Sequence, residues 1–232
     1  MVEREYIEID GIPVLLEKKN NKYMYMRILD NSTLRITVPY GVSRETVEEF
    51  VRSRKEWILE KMEYLKNNPP KPKLKYLNDE IHYIWGQPYK IQLITNNFIK
   101  NAFYDADEEI IYLPVSKRST IQQREKTMRE LYRREVQENL DLFLENAISI
   151  VGQRPSEIKI RSMKNWGNCN TNRRVTLNLN LAKKPPECLK YVLIHELTHL
   201  IEFNHGPRFK ELMDQFCPNW RELKEILNSE QN

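Results

Sequence analysis

The sequence predicts an α+β protein: an N-terminal β-rich part of antiparallel strands with one helix, then a mainly helical C-terminal part. Three observations predict it. Short β-like runs separated by Asn, Asp and Gly clusters fill most of residues 1–115. Apolar residues recurring every three to five positions fill much of residues 116–232. The second part also holds the helical motif His195-Glu-Leu-Thr-His199, so the chain divides into a β-rich part, 1–115, and a candidate catalytic part, 116–232.

Between Tyr6 and Pro39, runs at Ile12–Leu16, Tyr23–Leu29 and Thr33–Val38 read as strands of a small antiparallel sheet, with Asp30-Asn-Ser32 as a turn. Ser43 then opens a helix from about Arg44 to about Lys66, because Val47, Phe50, Val51, Trp57, Ile58 and Met62 recur at helical spacing. Asn67-Asn-Pro-Pro-Lys-Pro-Lys73 breaks it and reads as a linker, about 67–75. Strands resume at Glu80–Trp85, Tyr89–Thr95, Ala102–Tyr104 and Glu109–Pro114. The longest helix follows, with Ser119 and Gln122 as its capping box and Gly152 closing it.

Two more strands are expected at Glu157–Arg161 and Arg174–Leu181, the latter half-buried because Val175, Leu177, Leu179 and Leu181 alternate with Thr176, Asn178 and Asn180. Helices are expected from Glu187 to about Glu202, at Pro207–Phe216 and at Asn219–Leu227. No internal repeat or low-complexity segment is evident.

At 232 residues and 40% hydrophobic content the chain can bury a core, and no run approaches the roughly 18 apolar residues of a spanning helix. The charged N-terminus lacks the apolar stretch of a secretory signal, and three scattered cysteines suit a reducing compartment, so a cytoplasmic location is expected. Net charge is only +4, but Gly152–Pro186 holds eight basic residues against the single acid Glu157. Contact with nucleic acid phosphates is one reading of that excess; a solvated loop is the favoured one. Nothing in the sequence sets an oligomeric state.

In the HExxH helix, four residues advance slightly more than one turn, so His195 and His199 project from one face and can share one ion. Imidazole suits zinc, and a catalytic zinc keeps three protein ligands so that water takes the fourth position. Glu196 then lies beside that water as the catalytic base. His205, six residues after His199, is the preferred third ligand, because three of the chain's four histidines fall within residues 195–205. Glu202, Glu211 and Asp214 are rivals, since some zinc proteases use a later carboxylate. The expectation is one zinc per chain.

Trp166-Gly-Asn-Cys169, Val175-Thr-Leu-Asn178-Leu, Pro185-Pro-Glu, Val192–Leu200, Asn204-His-Gly-Pro-Arg-Phe209 and Cys217-Pro218 resemble the YgjP-like metallopeptidase family, which is related to SprT-like and WLM zincins. Val38-Pro39, Arg54-Lys-Glu-Trp57 and Tyr83-Ile-Trp-Gly86 extend the resemblance into the N-terminal half. It implies a zincin-like minidomain with the long helix packed beside the metal helix. It also implies His195, His199 and His205 as ligands, Glu196 as the catalytic residue, and Arg174–Leu181 as an edge strand that pairs with extended substrate. The sequence departs from the family pattern at Asn168, Asn170, Leu179 and Lys210.

The resulting expectation is a zinc-dependent hydrolase of metallopeptidase type acting on a polypeptide or small-molecule substrate, with Trp166, Asn178 and Arg208 as candidate substrate-binding residues. One alternative is a nucleoside triphosphate (phosphoanhydride) hydrolase using Arg173, Arg174, Lys183, Lys184 and Arg208. Another is a DNA-associated protease or binding module.

Overall fold

The computed structural model describes residues 2–29, 33–69, 74–96 and 98–229. It confirms the α+β class and divides the chain into two compact units, Met1–Lys73 and Leu74–Asn232. That division differs from the expected boundary at 115 and falls in the segment read as a linker; Asp30–Ser32 and Pro70–Lys73 lie outside the described residues. Among the described residues no helix is long and apolar enough to cross a membrane.

The first unit contains strands β1 (Glu3–Ile9), β2 (Ile12–Lys18), β3 (Tyr25–Ile28) and β4 (Leu34–Val38), then helices α1 (Arg44–Arg52) and α2 (Lys55–Asn67). The sheet order is β1-β2-β4-β3. The outer pairs are antiparallel, but β2 and β4 run parallel, where hairpins throughout were expected. Leu34, Ile36, Val38, Val47, Val51 and Ile58 are fully buried in a core of its own. The expected single helix is broken because Ser53 Oγ donates to Phe50 O (3.0 Å) while the Arg54 guanidinium stacks over the Phe50 ring at 4.3 Å. The serine thus competes with the helical ladder.

The second unit begins with the same plan. Strands β5 (Ile81–Ile84), β6 (Gln87–Ile94), β7 (Phe103–Asp105) and β8 (Ile110–Pro114) are ordered β5-β6-β8-β7, again with a parallel central pair. Each sheet starts with a two-residue hairpin turn of positive φ, Asp10-Gly11 and Trp85-Gly86, as a type I′ turn requires. Each fourth strand runs to a proline, Pro39 or Pro114, and a hydroxyl residue then caps the next helix, Ser43 or Thr120. A structural repeat is therefore present where none was expected.

Helix α3 (Ile121–Val151) opens with a capping box formed by Thr120 and Gln123, one residue later than expected, because Ser119 Oγ instead accepts from Arg124. A three-stranded sheet follows: β9 (Glu157–Arg161), β10 (Gly167–Cys169) and β11 (Arg174–Asn178), in the order β10-β11-β9. The expected strand Arg174–Leu181 stops at Asn178, whose Oδ1 accepts from Asn180 N (3.0 Å) and starts a 3-10 turn, Leu179–Lys183. β11 is buried on both faces and flanked on both sides, so it is not the edge strand that was anticipated. The edge is β10.

Helices α4 (Pro186–Thr198), α5 (Pro207–Phe216) and α6 (Trp220–Asn228) complete the unit. α4 is apolar nearly all round, with Leu189, Val192, Leu193 and Leu197 buried in a core shared with Ile84, Ile91, Ile111 and Leu113 of the second sheet and with α3. It ends four residues earlier than expected, where Thr198 Oγ1 bonds back to Ile194 O at 2.7 Å.

Candidate metal centre

The central helix α4 presents His195 from its last turn and His199 from its C-cap, where φ −63° and ψ −16° keep the residue helical and its side chain on the same face. The chain then turns through Asn204-His-Gly206 before Pro207 starts α5, which brings His205 back over the helix end. His205 Nε2 lies 3.0 Å from His195 Nε2. One nitrogen from each of the three histidines falls within 4.8 Å of the others, and among the described residues no other group of three His, Cys, Asp or Glu side chains is so placed. The rival Asp214 is taken by Arg221 and by the Trp220 indole N–H, which donates to it at 2.7 Å.

The rings are held from behind. Phe209, buried on the first turns of α5, has its ring centroid 4.9 Å from that of His195 and 4.7 Å from those of His199 and His205. His199 Nδ1 lies 3.2 Å from Glu202 O, so it carries the proton and leaves Nε2 as the lone-pair nitrogen. Burial, followed by the charges His199 and His205 would carry, pushes the His195 imidazole down to about 3, and burial also lowers His199. Neutral imidazole is the form that binds a metal.

Glu196 is buried beside this cluster, and burial pushes its carboxyl up to about 8. Its neighbour is Gly167 of β10: a Cβ there would stand 2.4 Å from Glu196 Oε1 and 2.8 Å from Cδ. Any larger side chain there would displace the carboxylate from this position. Glu196 Oε2 and His195 Nδ1 are buried with no hydrogen-bond partner among the described residues. Buried polar atoms left unpaired are costly, and the donor set of three neutral imidazoles beside a carboxylate fits a divalent cation with its water.

These groups line a cavity of about 410 Å³, walled by Trp166–Cys169 on one side and by residues of α6 on another. Trp166 lies in that wall as expected, its indole N–H donating to Asn228 Oδ1 at 3.3 Å. Asn178 does not line the cavity. Its Nδ2 is spent on Met163 O and Asn165 O, both at 2.9 Å, and its backbone N–H bonds Trp166 O. It therefore shapes the loop that leads into Gly167. Arg208 is exposed and outside the cavity.

Residues 22–230 match the YgjP-like metallopeptidase domain. The chain belongs to that family. Membership makes this YgjP-like protein a metal-dependent hydrolase of metallopeptidase type, a class whose substrates are peptides. Among solved structures it is similar to the "metallopeptidase zymogen of Pyrococcus abyssi abylysin", with 26% identity over 40% of this chain and 94% of that chain and a TM-score of 0.37. No curated protein matches it.

Reading the residues alone overlooked Phe209 and Gly167 as parts of the site. A glycine inside a short strand signals close approach of another group, and that was the available clue to Gly167. The position of Phe209, four residues after His205, carries no such signal.

Proposed function

We propose that the chain is a zinc-dependent peptidase whose single zinc is held by His195, His199 and His205 and whose general base is Glu196. The observation that carries this reading is the convergence of three imidazole nitrogens beside a buried carboxylate with an unpartnered oxygen. Three neutral nitrogen ligands are the protein complement of a catalytic zinc, whereas structural sites use four. Zinc, when bound, supplies a Lewis acid that acidifies water and polarises a carbonyl. Glu196, whose carboxylate lies against Gly167 beside the three imidazoles, is the group that would take the proton of the attacking water and hand it to the leaving amine.

The free edge of β10 supports a peptide as substrate. Asn178 N–H donates to Trp166 O and Asn170 N–H donates to Arg174 O, so even-numbered residues face β11. The N–H and C=O groups of Gly167 and Cys169 accordingly point outward, along the cavity that holds Glu196. An extended peptide adds there as a further strand.

The phosphoanhydride reading loses the five cations first named for it. Arg174 pairs with Glu157 at 3.4 Å, and Arg173 donates to Gln153 Oε1 at 2.9 Å. Lys183 lies over the Tyr132 ring at 5.2 Å, Lys184 donates to Ser229 O at 2.7 Å, and Arg208 is outside the cavity. With Arg154 on Glu145 and Lys159 on Glu157, the basic segment is largely engaged within the chain, which also weakens the nucleic-acid reading. The three cysteines, buried and free, fit a reducing, cytoplasmic setting.

Metal analysis of purified protein and of His205→Ala, with parallel assays on an unfolded polypeptide and a nucleoside triphosphate, tests this reading. One zinc per chain, weakened in the variant, and cleavage of polypeptide alone are expected. Unchanged zinc binding by His205→Ala, or hydrolysis confined to the triphosphate, would overturn it.

A further inference from the structure

Helix α6 brings one lysine to the cavity of the candidate metal centre. Lys224, Leu227 and Asn228 form its wall on that side. The wall is fixed at two points. Buried Lys184 donates to Ser229 O (2.7 Å) and Ile226 O (3.4 Å), meeting the carbonyl end of α6 where a cation is favoured. Asn228 accepts from the Trp166 indole at 3.3 Å and donates from Nδ2 to Lys224 O at 2.9 Å. The backbone that carries Lys224 is thereby tied to the opposite wall.

Lys224 has no carboxylate partner among the described residues. Its helical neighbours three and four positions away are Trp220, Arg221, Leu227 and Asn228, none of them acidic, and its Nζ rests 5.9 Å from the Trp220 ring centroid. Among the described residues the cavity lining contains no other lysine or arginine and no acid except Glu196. A cation left without a partner on a cleft wall, with no competing acid beside it, is suited to an anionic group of the substrate.

We infer that Lys224 sets the specificity of the cleft, and that the peptides it takes carry a carboxylate on the α6 side of the scissile bond. This rests on the peptidase reading above. The carboxylate comes either from an Asp or Glu side chain or from the peptide's own C-terminus, and the two sources are separable.

The test uses the zinc-loaded chain with Glu196→Gln, so that binding is read without turnover. Fluorescein-labelled octapeptides carry Glu, Gln or Lys at each position in turn, each with a free or an amidated C-terminus, and anisotropy gives Kd. A partly exposed ion pair predicts about threefold to fivefold tighter binding of the carboxylate peptide than of its neutral match, diminishing as salt rises. Adding Lys224→Met should abolish that difference and adding Lys224→Glu should invert it, both with zinc content unchanged. Sensitivity to amidation assigns the C-terminal carboxylate; sensitivity to Glu against Gln assigns a side chain. A preference that survives Lys224→Glu comes from the metal centre itself and overturns the inference, as does equal binding of all peptides. Cleavage by the unsubstituted chain with no charge preference would remove this inference and leave the peptidase reading standing. Lys224-dependent binding without cleavage would do the reverse.

Discussion

The two four-stranded sheets are built to one plan and put to different uses. Both are ordered hairpin, parallel pair, returning strand, and both turn their first hairpin through two residues of positive φ. In the first sheet that turn is Asp10-Gly11. A Cβ on Gly11 would meet nothing within 4 Å, and Asp10 makes only partly exposed pairs with Arg52 and Lys55. In the second sheet it is Trp85-Gly86, and every part of it is engaged. Trp85 N–H donates to Ala182 O at 2.7 Å, its indole donates to the buried Glu135 at 3.1 Å, and a Cβ on Gly86 would stand 3.2 Å from Pro185, the N-cap of α4. A tryptophan at φ 50° is rare, and these contacts hold it there. The difference shows how one module is either closed on itself or built into the foundation of a site.

Substitution at the first turn position should separate the two uses most clearly. Trp85→Ala leaves the Glu135 carboxylate without its indole donor and opens a cavity, so a loss of about 3 kcal/mol is expected in urea unfolding, with weaker retention of metal. Asp10→Ala removes surface pairs and a residue that tolerates positive φ, and should cost about 1 kcal/mol with metal binding unchanged. Equal effects would dissolve the contrast.

Removing the charge of Glu196 sharpens the same contrast through pH. Its folded carboxyl is raised from an ordinary 4.5 to about 8, so the folded, metal-free chain binds an extra proton between those values. Stability contributed by the protonated form is present below about 4.5 and is lost as pH rises through about 8. Metal-free Glu196→Gln should therefore gain on the unsubstituted chain as pH rises over that window, by a few kcal/mol at most, on the order of 3. The gain should appear in the transition of the second unit and not in that of the first.

Glycine replacement gives the smallest effect. Gly86→Ala combines positive φ with contact against Pro185, and about 2 kcal/mol of destabilisation is expected. Gly11→Ala meets strain alone, about 1 kcal/mol. Thermal unfolding of the two variants, compared with the unsubstituted chain, measures the difference.

The histidines were legible because a helix repeats its face every four residues and because histidine is scarce elsewhere in the chain. The rest of the site was less legible for stated reasons. β10 is three residues long and starts with glycine, too short for alternation to show. The strand ending at Asn178 looked longer because the alternation continues into a 3-10 turn that begins at the asparagine's own side-chain bond. The helix break at Ser53 depends on a local hydrogen bond that apolar spacing does not register. The repeated sheets share turn glycines and strand-ending prolines but few other residues, so the common plan appears only in the pairing of strands.

In the proposed mechanism Glu196 acts on a proton beside three imidazoles that would hold zinc. The most direct measurement is zinc content together with peptide hydrolysis for Glu196→Gln. One zinc per chain retained and hydrolysis reduced by about 10² to 10⁴ are expected. Hydrolysis at the unsubstituted rate with zinc in place would contradict it.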